Sequence, residues 1–142
     1  MKPLAFLPLA AALAAAGAAH AADPAQGVWL TPDGAAKVKV APCAASLCGT
    51  VVWLKAPLDK AGKPLTDQAN PDPALRSRPI VGLVMISDFK AATAGRWTGG
   101  KIYDPKTGRT YASKLSANPD GTLKVEGCVS VACKAQTWTR AD

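Results

Sequence analysis

Val38-Lys39-Val40-Ala41-Pro42-Cys43, four residues, then Cys48-Gly49-Thr50-Val51-Val52-Trp53: this stretch decides the fold. It is repeated in kind as Leu123-Lys124-Val125-Glu126-Gly127-Cys128 and, after four residues, Cys133-Lys134-Ala135-Gln136-Thr137-Trp138. Each copy places two cysteines around a short turn between strand-like runs. A hairpin there sets the flanking positions opposite one another across an antiparallel pair. Their Cα atoms would lie about 4.5–5.5 Å apart, within reach of a disulfide. Of the three pairings that four cysteines allow, Cys43–Cys48 and Cys128–Cys133 are therefore expected. A four-thiolate zinc site, whose usual spacing within each pair is two to four residues, is the alternative, but an oxidising compartment and a hairpin context argue against it.

Working outward, Thr31-Pro32-Asp33-Gly34, Asp104-Pro105-Lys106-Thr107-Gly108 and Asn118-Pro119-Asp120-Gly121 combine a fixed-φ proline with a later glycine. These are turn signals. Candidate strands run over 27–31, 35–42, 48–55, 79–87, 96–103, 109–116, 121–128 and 133–140. Val38 and Val40 alternate with Lys37 and Lys39, and Leu123 and Val125 with Lys124 and Glu126, so one face packs and one is wet. Ile80-Val81-Gly82-Leu83-Val84-Met85-Ile86 is apolar on both faces and is expected to be covered on both sides. Trp97 and Ile102 are out of phase, which predicts a bulge at Gly99-Gly100. The connection from Ala56 to Arg78 is rich in Pro, Asp, Asn and Gly, with at most one short turn near Pro73–Leu75. Eight strands joined by tight turns must hide their edges. The expected fold is all-β, a small antiparallel up-and-down barrel with two hairpin disulfides, and a two-sheet sandwich is the competitor.

Residues 1–21 read as a signal peptide: Lys2, an apolar run from Leu4 to Ala16 too short to cross a bilayer, and a small-x-small site at Ala19-His20-Ala21. Residues 22–142 then form a single domain, exported to the periplasm or beyond, with no transmembrane segment left after signal removal. Paired cysteines suit that compartment. The only histidine, His20, departs with the leader, which excludes imidazole bases, Ser-His or Cys-His pairs and histidine metal ligands.

Three further segments carry a resemblance. They are Asn70-Pro71-Asp72-Pro73-Ala74-Leu75-Arg76-Ser77-Arg78-Pro79-Ile80-Val81-Gly82-Leu83, Trp97-Thr98-Gly99-Gly100-Lys101-Ile102-Tyr103-Asp104-Pro105 and Gln136-Thr137-Trp138-Thr139-Arg140. From Gly27 to Arg140 the chain resembles the exported bacterial proteins grouped as domain of unknown function 2147. That family has no established catalytic residues, so the resemblance implies compartment and no mechanism. Gly27-Val28-Trp29 on the first strand and Arg140 on the last also resemble the lipocalin-like barrels, the calycins, in which such an Arg lies against the Trp. The chain departs from typical lipocalins in being shorter and in lacking a C-terminal helix.

The carboxylates give little footing for an enzyme. Glu126 is the one glutamate, and Asp33, Asp104 and Asp120 sit in turns that bond local backbone. Asp59, Asp67, Asp72 and Asp88 remain, and a hydrolase pair would have to be Asp67 and Asp72, on a loop without evident scaffold. The same loop lacks the spacing of a calcium loop and is read instead as turn builders, with Asp72 pairing Arg76 or Arg78. No cofactor and no metal are expected. The net charge of +7 is spread as single lysines without aromatic interleaving, which argues against nucleic acid.

Two functions follow. In the first, a calycin-like barrel binds a small apolar or amphipathic ligand, with Trp29, Trp53, Trp97, Tyr111 and Arg140 forming or bordering the cavity and the 56–78 loop over its mouth. In the second, a filled barrel contacts a protein partner of the cell envelope through Asn70, Asp72, Arg76 and Arg78.

Overall fold

The computed structural model describes Pro3 and residues 23–142, so the expected leader at 1–21, apart from Pro3, lies outside the described residues. Eight strands follow one another: β1 (Gly27–Leu30), β2 (Ala36–Cys43), β3 (Ser46–Leu54), β4 (Val84–Ala91), β5 (Arg96–Asp104), β6 (Arg109–Ala117), β7 (Leu123–Val129) and β8 (Ala132–Arg140). Each pairs antiparallel with its successor, and β8 returns to β1, closing a barrel in sequence order. That up-and-down closure is what eight short strands with tight turns require to hide their edges. The seam is short. Only Trp29↔Arg140 and Leu30↔Thr139 pair across it.

Alternation places the strands' apolar residues inward. Val38 and Val40 of β2, Ile86 and Phe89 of β4, Leu115 of β6, Leu123 and Val125 of β7 and Trp138 of β8 are almost fully buried in one cluster. Successive strands run in opposite directions. Both termini therefore share one end of the barrel with the turns after β2, β4 and β6, and the long connection 55–83 lies at the other end.

Both disulfides form, Cys43–Cys48 and Cys128–Cys133. Their registers differ despite identical spacing. Cys128 and Cys133 face each other directly around a turn of Ser130 and Val131, with Cα atoms 4.0 Å apart. In the other hairpin the turn is Ala44-Ala45, Cys43 pairs with Ser46 and Cys48 with Ala41, so the bridge is diagonal, at 5.5 Å. The expectation that both pairs sit directly opposite holds for one hairpin only. In each turn the first residue takes a positive φ, 55° at Ala44 and 54° at Ser130, which lets the strands continue past the cysteines.

The bulge expected at Gly99-Gly100 is present: the β5–β6 register shifts between Trp97 and Gly100, and Trp97 and Ile102 are both buried. The fourth strand is corrected. It begins at Val84, because Gly82 at φ 98° turns the chain before it and Leu83 N–H bonds the Ile80 carbonyl at 3.0 Å. The apolar run is not covered on both sides. Ile80 and Leu83 tuck under the barrel mouth against Val51, while Val81 and Val84 are 45% and 49% exposed. A second kink, at Asp88 with φ 65°, brings Phe89 into phase with Ile86.

Candidate functional site

The connection from Lys55 to Leu83 is an ordered strap built on one carboxylate. Asp67 is completely buried. Its Oδ1 accepts the Tyr103 hydroxyl at 2.6 Å, and its Oδ2 accepts Asn70 Nδ2 at 2.8 Å and Arg78 Nε at 2.9 Å. Asn70 Oδ1 accepts the Asp72 N–H, and the Asn70 carbonyl accepts Arg76 Nε, so two of the segment's polar side chains clip its own backbone. The Thr66↔Pro79 bridge holds the two arms together. Tyr103 lies on β5, so this hub fastens the strap to the barrel wall. The turn after β5 helps, because Gly108 lies so close to the Ala69 carbonyl that a Cβ there would collide with it.

Burial pushes the Asp67 carboxyl up, but the hydrogen bonds from Tyr103, Asn70 and Arg78 and the Arg78 charge outweigh it and hold the group below its ordinary value. The Tyr103 hydroxyl moves the other way, raised by burial and by its bond and proximity to the Asp67 anion.

These placements correct two readings of the loop. It has a scaffold, and Arg78 pairs with Asp67 rather than Asp72. Asp72 is exposed and caps the single turn at Pro73–Leu75, accepting the Ala74 N–H at 3.0 Å. Asp67 and Asp72 therefore do not form a carboxylate pair facing a shared substrate. Asp59, taken above as standing outside turns, accepts the Ala61 and Lys63 N–H groups.

The aromatic residues fall into two sets. Trp29, Trp97 and Trp138 pack inside the barrel, and Trp29 donates to the Ala25 carbonyl at 2.8 Å. Arg140 lies 4.2 Å over the Trp29 ring and donates to the Gln26 and Pro24 carbonyls, closing the terminal end. Gly27 is required there, since a Cβ would collide with the Arg140 guanidinium. Trp53 is apart from these on the outer face, 40% exposed beneath Lys37. Tyr111 is half-buried on the inner face, paired with Ile102.

The inward-facing glycines of β3 and β5 are closely covered by side chains of neighbouring strands, whereas a Cβ at Gly127 of β7 would meet only ordinary contacts. A Cβ at Gly49 would collide with Ile86 and lie 2.8 Å from Val38 Cγ1, and one at Gly100 would overlap the Phe89 ring. Space opens instead on the outer wall. Beneath the strap lies a bay of about 250 Å³ between Asn70 and Arg78 of the strap, Met85 and Ser87 of β4, Lys101 of β5 and Thr110 of β6. Ser87 pairs with Lys101 and Tyr103 with Thr110 across adjacent strands, while Ile86 and Ile102 between them point inward, so these polar side chains share the outer face. A second depression, beside the Cys128–Cys133 hairpin, has Lys114 as its one charged residue. The bay joins residues from four elements of the chain. Asn70 and Arg78 of the strap were expected as partner-contacting residues, whereas Tyr103, Ser87, Lys101 and Thr110 were not singled out as site residues, although Tyr103 and Lys101 fall in a segment quoted for the resemblance.

Among the described residues no cluster of His, Cys, Asp and Glu suits a metal ion, and no helix is long and apolar enough to cross a membrane.

Comparison with known proteins places this architecture. Protein HP1028 from Helicobacter pylori, described as belonging to the lipocalin family, has a solved structure similar to this one. Its TM-score is 0.70 and its identity 24%, with 82% of each chain covered, a likeness of fold. Against curated proteins the chain has no match. The family model described as "Uncharacterized protein conserved in bacteria (DUF2147)" matches residues 27–140, which span the barrel from β1 to the last residue of β8. The chain belongs to that family, the domain of unknown function 2147, built on a lipocalin-like barrel.

Proposed function

We propose that this protein is an exported binding module whose barrel interior is structural filling and whose ligand seat is the bay beneath the strap. The observation that carries the reading is the contrast between the two spaces. The interior leaves no room for a methyl group at Gly49 or Gly100, while the outer bay gathers side chains from the strap and three strands. Small-molecule sites are concave with convergent polar groups, and the bay turns Asn70, Arg78, Ser87, Lys101, Tyr103 and Thr110 toward one space beside Val84 and Met85. Export is supported by the two disulfides and by the leader-like residues 1–21. The reading is one of binding without catalysis, since the buried carboxylate is held by three side chains and the exposed Asp72 caps a turn.

Native mass spectrometry of protein from its own host, paired with Thr110→Trp, tests this. A small-molecule adduct on the wild type that disappears in a Thr110→Trp protein of unchanged melting temperature supports the bay. An adduct that survives Thr110→Trp places the ligand elsewhere and ends the reading.

A second reading, a protein-interaction module, has its own observation. Among the described residues, seven of the nine exposed large hydrophobics, Val52, Trp53, Leu58, Leu65, Leu75, Val81 and Val84, fall within residues 52–84, beside the exposed Arg76. Cross-linking in the cell through this segment, with the captured partner lost on Arg76→Glu, favours it over the ligand reading.

A further inference from the structure

The geometry points to a more definite occupant of the bay: an oxyanion, phosphate or carboxylate, held between Arg78 and Lys101, free or carried on a short apolar segment. This rests on the bay being the ligand seat.

The guanidinium of Arg78 is fixed in orientation. Its Nε donates to the buried Asp67 at 2.9 Å and its plane lies 5.8 Å from the Tyr103 ring centroid. Among the described residues no hydrogen bond engages its two terminal nitrogens, and those form the fork that matches an oxyanion. Lys101 stands across the bay. Its partner Asp88 is 3.6 Å away, and the two side chains are 63% and 57% exposed, so the pair is weak and the ammonium can turn to an incoming anion at small cost. The Ser87 and Thr110 hydroxyls line the same space, and among the described residues neither has a hydrogen-bond partner. No carboxylate lines the bay itself. Asp67 sits behind Arg78 and offsets part of its charge, and Asp88 sits beside Lys101.

Val84, Met85 and Pro71 add an apolar stretch of wall beside Asn70 and Tyr103. At 250 Å³ the bay has room for roughly eight waters at about 30 Å³ each. That admits a head group and a short chain and is too small for a long acyl tail. The chain's positive net charge of +7 draws anions toward the surface, but its lysines are scattered, so only a built site would distinguish one position from another.

Titration calorimetry of the mature protein at low salt, with inorganic phosphate and with hexyl phosphate as separate probes, tests the assignment. Lys101→Gln removes one bay cation without touching the Asp67 hub. Lys124→Gln removes a lysine on the outer face of β7, 43% exposed against 63% for Lys101, as a control. The expected result is saturable binding weakened roughly tenfold by Lys101→Gln, the loss of one charge-assisted contact, and unchanged by Lys124→Gln. Equal affinity for both probes identifies a free oxyanion, and preference for hexyl phosphate identifies an amphiphile. Equal weakening by both substitutions means attraction to net charge alone and overturns the site. Absence of binding to either probe overturns it as well. In that case a host-derived adduct that Thr110→Trp removes would still uphold the bay as a ligand seat for an uncharged molecule.

Discussion

Asp67 shows how one side chain organises a segment that composition alone describes as a loop. A buried carboxylate is tolerable only when its lone pairs are met, and here three donors from three places in the chain meet them. Because its folded-state value is depressed, the stability it contributes is present above the unfolded carboxylate value of about 3.9 and is lost as pH falls through the lower folded value. Tyr103 has the opposite sign. Its raised value means that its contribution is complete below about pH 10 and is lost as pH rises through the folded value. Tyr103→Phe removes a donor from a buried anion and should lower stability by about 2 kcal/mol, read as a shift in urea midpoint at pH 7. Asp67→Asn should flatten the acid limb of the urea midpoint against pH that the wild type displays. A wild-type curve that matches the variant's below pH 5 would show that the strap is held by other means. None of this could be read from the chain, because Tyr103 lies 36 residues from Asp67 and nothing local announces the pairing.

At the scale of elements, the sequence was most legible where side-chain alternation and turn chemistry agree. The β2–β3 and β7–β8 hairpins, both disulfides and the β5 bulge follow from alternation, cysteine spacing and the Gly99-Gly100 pair. The fourth strand was misjudged because Ile80 to Ile86 is an unbroken apolar run, and periodicity cannot separate a doubly covered strand from a turn that buries Ile80 and Leu83 by folding back. The diagonal register of Cys43 and Cys48 was equally hidden, since the spacing is the same as in the direct pair. Each bridge closes a very short loop, so each should contribute only about 2 kcal/mol by chain entropy. The hairpins lie at opposite ends of the barrel and share no partner. Removing the bridges as Cys43→Ala with Cys48→Ala, and Cys128→Ala with Cys133→Ala, should therefore give losses that add in the quadruple variant within about 0.5 kcal/mol. A quadruple variant far less stable than the sum would mean that the two ends are coupled through the barrel.

The whole molecule is a closed ring with a short seam and a solid centre. Three tryptophans, Phe89 and the aliphatic residues of β2, β4, β6 and β7 fill the space that a wider barrel would leave to a ligand. Arg140 seals one end over Trp29, and Ile80 and Leu83 of the strap pack under the other. Two features kept this out of reach of the sequence. Eight strands are compatible with a filled or a hollow barrel, and nothing in the alternation shows that Ile86 of the adjacent β4 folds over Gly49 or that the Phe89 ring of β4 folds over Gly100 of β5. With the centre packed by these side chains, the strap and the wall it covers are the surfaces that carry the binding proposal. Gly100→Ala probes the filling with a change of sign. Gly100 lies within β5, its φ is not positive, and alanine suits a strand, so with open space above it the substitution would stabilise the fold by about 0.4–1 kcal/mol through the unfolded chain. In the filled barrel the added methyl meets the Phe89 ring and forces it aside, a loss of about 1–3 kcal/mol. The urea-unfolding free energy of Gly100→Ala against wild type is the deciding measurement: a loss of that size agrees with an interior filled beside Gly100 by the Phe89 ring, and a gain would contradict it.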